Sequence, residues 1–133
     1  MKFEFLEHAA DIKFKSYGTT LDEAFANAVL ATASYLSEGN PIKEKDEKHI
    51  SITGRDYESL LYRLLDELLF LFDTEGFIAS KAEIKIKGLA LDAKIYGGKS
   101  EGEPNHIKAA TYYDMYIKQT GVRRWEIQAV LDV

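Results

Sequence analysis

The residues best suited to chemistry are His8, Asp11, His106, Lys108, Thr111 and Asp132, all placed where strands are expected to start or stop. Val133 follows Asp132 directly, so a strand closing there sets the Val133 carboxylate beside the Asp132 side chain and presents two oxygen anions at adjacent residues. If that end neighbours the 8–11 turn, Asp11 adds a third. Three anionic oxygens without sulfur suit a hard divalent cation such as calcium or magnesium, and not zinc. In the run His106-Ile107-Lys108-Ala109-Ala110-Thr111, His106 and Lys108 follow a glycine-rich stretch and precede a strand, a place from which an imidazole moves a proton or an ammonium meets phosphate. Taken singly, each residue also has an ordinary role: Asp11 capping a turn, His8, His106 and Lys108 solvated, Asp132 polar at a frayed end. Their grouping suggests a site; no one of them does.

Other chemistries are excluded. With no cysteine, a disulfide scaffold, a thiolate zinc site and a cysteine nucleophile all drop out. The sequence carries no GxGxxG, P-loop, HExxH, GxSxG or EF-hand loop. The 17 basic and 22 acidic groups among 133 residues give a net charge of -5 with 46% apolar side chains, the balance of a soluble globular chain of one domain, 1–133. Residues 1–76 hold 8 basic and 15 acidic groups and residues 77–133 hold 9 and 7, so no basic cluster for stable nucleic-acid binding exists. Lys2, Glu4, Glu7, Asp11 and Lys13 leave no apolar leader, and the longest charge-free stretch, 24–37, is too short and polar to span a bilayer. A cytoplasmic protein is expected, with no membrane role.

The elements that must position these residues follow from periodicity. Phe3 and Phe5 alternate with Lys2 and Glu4, and Ile12 and Phe14 with Lys13 and Lys15, which predicts two short strands joined through 8–11. Thr20 and Glu23 form the signature of a capping box for a helix whose stripe runs Leu21, Ala24, Phe25, Ala28, Val29, Thr32, Tyr35, Leu36 and stops at Gly39-Asn40-Pro41. Residues 43–48 read as a solvated loop before a strand at 49–53. Asp56 caps a second helix with the stripe Tyr57, Leu60, Leu61, Leu64, Leu65, Leu68, Leu69, Phe72, closed by Gly76. Tyr62 and Phe70 lie on its other side, where cover by a loop is the favoured reading. Four strands follow, at 82–87, 89–96, 111–119 and 124–133, with tight turns at Gly88 and Gly121 and a mobile surface loop at 97–105. Strands in runs around two amphipathic helices predict an α+β fold with both helices packed on a mostly antiparallel β layer.

His8-Ala9-Ala10-Asp11-Ile12 followed by 20–28, the DYESLLYRLLDELLFLFD helix, HIKAATYY at 106–113 and the closing 125–133 resemble, in the same order and over essentially the whole chain, the archease family. One departure is Gly97-Gly98-Lys99, where the family often has a Gly-Glu pair. The resemblance implies a non-catalytic protein that activates an RtcB-type tRNA-splicing RNA ligase in tRNA processing, promoting its guanylylation and multiple turnover and broadening its nucleotide use. It also implies metal binding, calcium first among divalent cations, with Asp11, Asp132 and the Val133 carboxylate as ligands and His8, His106 and Lys108 as polar neighbours or docking residues. Two other classes stand beside it: a metal-dependent phosphohydrolase or nuclease working through an Asp11/Asp132 cation, and a chaperone-like binding protein.

Overall fold

The computed structural model describes residues 1–7 and 10–133. In chain order it contains β1 (Phe3–Leu6), β2 (Asp11–Gly18), α1 (Leu21–Ser37), β3 (Ile42–Thr53), α2 (Tyr57–Glu75), β4 (Ile78–Lys87), β5 (Ala90–Ser100), β6 (Ala109–Ala110), β7 (Tyr116–Gly121) and β8 (Arg124–Asp132). The strands divide into two sheets. One has the order β1-β2-β8-β6, with β7 also on β8, and the other the order β3-β5-β4. Every pairing among the described residues is antiparallel. The expected α+β class therefore holds, with the β layer split in two. Among the described residues no helix is long and apolar enough to cross a membrane.

The helices lie between the sheets. α1 packs on β2 and β8 of the first and on β4 of the second, while α2 meets β3 and β4 on one side and β6 and β7 on the other. A helix enclosed from both sides needs small side chains, and α1 supplies Ala24, Ala28, Ala31 and Ala33 around Phe25, Val29 and Leu36, all buried. On α2 one broad stripe, Leu60, Leu61, Leu64, Leu65, Leu68, Leu69 and Phe72, is buried, each such side chain contributing about 1.5–3 kcal/mol. The Thr20 hydroxyl accepts from the Glu23 N–H, as the capping signature requires, but the Glu23 carboxylate reaches past it to the Thr19 N–H at 3.0 Å. For α2 the box is complete through Asp56 and Ser59.

Three expectations are corrected. The 43–48 stretch is not a loop: it belongs to β3, whose partner β5 runs on to Ser100 and supplies the hydrogen bonds, while its charged side chains, the half-buried Lys48 apart, stay exposed. For the same reason Gly97 and Gly98 lie inside β5, and only the residues after Ser100 form a loop. Both glycines sit where bulges in β3 and β4 press a neighbouring backbone inward: a Cβ at Gly98 would stand 1.8 Å from the Lys43 carbonyl oxygen, and one at Gly97 would stand 2.1 Å from that of Ile78. Finally, the strand expected over 111–119 is broken. Asp114 takes a left-handed backbone (φ 53), and residues 111–115 leave the ladder between β6 and β7.

Candidate functional site

Asp11 is the first residue of β2, not part of the preceding connection, and Asp132 is the last of β8; the register sets them directly opposite each other. Alternation puts both on the side of the sheet away from the helices, because Ile12, Phe14, Leu131 and Ala129 occupy the inner side. On its other flank Asp132 is opposite Ala109 of β6, and the Lys108 N–H donates to the Asp132 carbonyl at 2.7 Å. One step inward, the Thr111 hydroxyl donates to the Val130 carbonyl at 2.7 Å. Asp11, Asp132, Val133, Lys108 and Thr111 are thus gathered at one end of β2, β8 and β6, with the Lys108 side chain exposed and Asp11, Asp132 and Val133 half-buried. His106 is exposed with its ring tilted on Phe72 of α2, centroids 5.6 Å apart. His8 lies outside the described residues.

Two chain segments build this end. The 111–115 segment folds over the outer face: Gln128 donates to the Asp114 carbonyl at 2.8 Å, and the Lys13 ammonium stands 3.4 Å from the Asp114 carboxylate. Under it Gln128 and Val130 are buried. The loop after β5 is fastened to the C-terminus of α1, where Asn105 donates its backbone N–H to the Leu36 carbonyl (2.8 Å) and its side-chain amide to the Tyr35 carbonyl (2.9 Å). These carbonyls belong to the last turn of α1, where the Tyr35 carbonyl also accepts from the Glu38 N–H at 3.2 Å and the Leu36 carbonyl is taken up by Asn105. Asn105 therefore sets where His106 and Lys108 begin. Nothing in the bare sequence marks Asn105, an amide in a loop, or Gln128, an amide in mid-strand, since both act across long separations.

A divalent cation is chemically compatible with the carboxylate pair. Its donors are hard oxygens, and carboxylates directly opposite on neighbouring strands repel each other, a cost that a cation between them removes. The set is incomplete, however: among the described residues no group of three His, Cys, Asp or Glu side chains gathers closely enough to hold a metal ion. Asp11 and Asp132 are the residues that would hold one.

The other end of the same strands is different in character. There Tyr17 donates to Glu4 at 2.5 Å and Tyr116 donates to Glu126, with Lys15 3.8 Å from Glu126. Burial first, then the bond to a carboxylate, pushes both phenols well above the usual 10. A cleft of about 500 Å³ opens beside them, lined by Arg123, Arg124, Trp125 and Glu126 among others. It mixes both signs of charge and lies about 23 Å along β2 from Asp11, so it is separate from the carboxylate end. Gly97-Gly98-Lys99-Ser100 offers no phosphate cradle either, because it is strand and its glycine faces meet carbonyls.

The pattern of the Archease protein family (MTH1598/TM1083) matches residues 3–133. Protein archease of Pyrococcus abyssi is 38% identical over 140 aligned positions covering 99% of both chains, and that of Pyrococcus furiosus is 39% identical with the same coverage. The solution structure of Methanobacterium thermoautotrophicum protein 1598 superposes with a TM-score of 0.80 at 33% identity over 99% of each chain. An archease from Thermotoga maritima, described as a possible chaperone, shares the fold at a TM-score of 0.65 and 22% identity, covering 96% of this chain and 94% of that one. This chain belongs to the archease family.

Proposed function

We propose that this protein is a non-catalytic activator of an RtcB-type tRNA-splicing RNA ligase, acting in the cytoplasm to promote the ligase's guanylylation and multiple turnover and to broaden its nucleotide use. The observation that carries the reading is the opposed pair Asp11–Asp132 at a sheet end that also presents Lys108. In this reading Asp11, Asp132 and the Val133 carboxylate hold a divalent cation, calcium foremost. Such a cation supplies positive charge that attracts phosphate oxygens and fixes carboxylates in place. The exposed Lys108 ammonium meets a phosphate or carboxylate of the docked partner, while Asn105 holds the loop that presents it. Family membership supports the reading through the resemblance set out above.

A three-arm assay tests it. An activator leaves phosphoesters intact on its own with divalent metal, leaves unrelated aggregating clients unprotected, and raises guanylylation only when ligase and GTP are present. Hydrolysis of a phosphoester by the protein alone would establish the phosphohydrolase or nuclease reading instead. Protection of clients would establish the chaperone reading.

A further inference from the structure

The outward side of α2 carries a surface that packing within the chain does not explain. Tyr62, Asp66 and Phe70 recur every four residues and so form one row along the helix, with Glu67, Asp73 and Thr74 beside it. Phe70 is 59% exposed. At one end of the row Tyr112 stacks on Tyr62, centroids 4.4 Å apart and planes within 6°, yet remains half exposed, and Tyr113 beyond it is more exposed still. The loop cover expected for α2 is thus supplied to Tyr62 and withheld from Phe70.

The charge around this row selects the occupant. Glu58, Asp66, Glu67 and Asp73 share these outer turns, and none of them forms an ion pair with a described residue. The nearby cation Arg63 is drawn aside, its guanidinium donating to the Thr53 carbonyl at 2.7 Å. An acidic surface repels RNA phosphates and anionic lipid, which leaves a protein with a basic rim. An aromatic ring amid such charge fits an apolar pocket inside that rim, the usual anatomy of an anchored contact.

We propose that the Tyr62–Asp66–Phe70 row, with Tyr112, is a docking surface for a protein partner bearing Lys and Arg around an apolar pocket, with Phe70 as anchor. Resting on the function proposed above, that partner is the RNA ligase. α2 packs against β6, and β6 pairs with β8 at Asp132, so the row lies on the β6 side of the sheet end whose opposite face carries the carboxylates.

The test uses the whole protein and the purified RtcB-type ligase of the same organism, with binding by calorimetry and guanylylation with GTP measured for Phe70→Ser and for Asp66→Lys/Asp73→Lys. Both should melt like wild type and bind roughly tenfold or more weakly. The charge reversal should lose most at low salt. Lys85→Glu, on the far sheet, should bind normally. A wild type that stimulates while both variants match it in binding overturns the docking face alone, as does an equal loss in Lys85→Glu. A wild type that neither binds nor stimulates the ligase overturns this partner and the proposed function together.

Discussion

Changing Asp132 to Asn separates the metal reading from a structural one, because the two predict opposite signs. In chelator, the substitution removes one of two carboxylates that the register sets face to face. A like-charge cross-strand pair costs about 0.2–1 kcal/mol, so relief of that order is expected. Unfolding entropy of roughly 2.1 cal/mol/K per residue over 133 residues makes 1 kcal/mol worth about 3.6 °C. The variant should therefore melt about 1–4 °C higher than wild type without metal. With calcium at 100 times its dissociation constant, wild type gains about 2.7 kcal/mol, close to 10 °C, and the variant should gain little. Differential scanning calorimetry in chelator and across a calcium titration reads both quantities. A variant that melts lower in chelator and retains the full calcium-induced rise would refute the reasoning, since the pair would then neither repel nor bind.

Asp11→Ala should weaken calcium binding as strongly as Asp132→Ala, and extending the chain after Val133 should do the same by moving the carboxylate; calorimetry with calcium decides each. Lys108→Ala should abolish ligase activation while shifting the melt within about 0.5 kcal/mol, as surface changes do, with Lys85→Ala as the silent control and His106→Ala following Lys108. Gly98→Ala forces a Cβ to 1.8 Å from the Lys43 oxygen and should cost about 1–3 kcal/mol or more, read as a fall in melting temperature. Tyr17 stays protonated in the folded chain well beyond the unfolded value of 10, so its contribution is complete below pH 10 and is lost as the unfolded phenol ionises above it. Tyr17→Phe should flatten that alkaline loss in urea titrations at pH 9 and 11.

Local periodicity made most of the fold legible. The α2 stripe, its Asp56 cap and Gly76 stop are properties of neighbouring residues, and they fall where the pattern puts them. What failed was non-local. The charges at 43–48 look like loop until β5 arrives to pair with them, and Gly97-Gly98 looks like flexibility until bulged carbonyls press on both faces. The break at 111–115 depends on Gln128 and Lys13, fourteen and about a hundred residues away from Asp114. At the candidate site, oxygen chemistry named Asp11 and Asp132, and β2–β8 pairing brought them together. Asn105 escaped notice because its partners lie seventy residues back, at the end of α1.

In the function proposed, this chain raises the turnover of an RNA ligase without joining RNA itself. The most direct measurement is ligated RNA formed per molecule of RtcB-type ligase, with GTP and calcium-loaded protein at catalytic amounts. About one product per ligase is expected in its absence, many in its presence, and none from the protein alone. Equal yields with and without it would overturn the proposed activation.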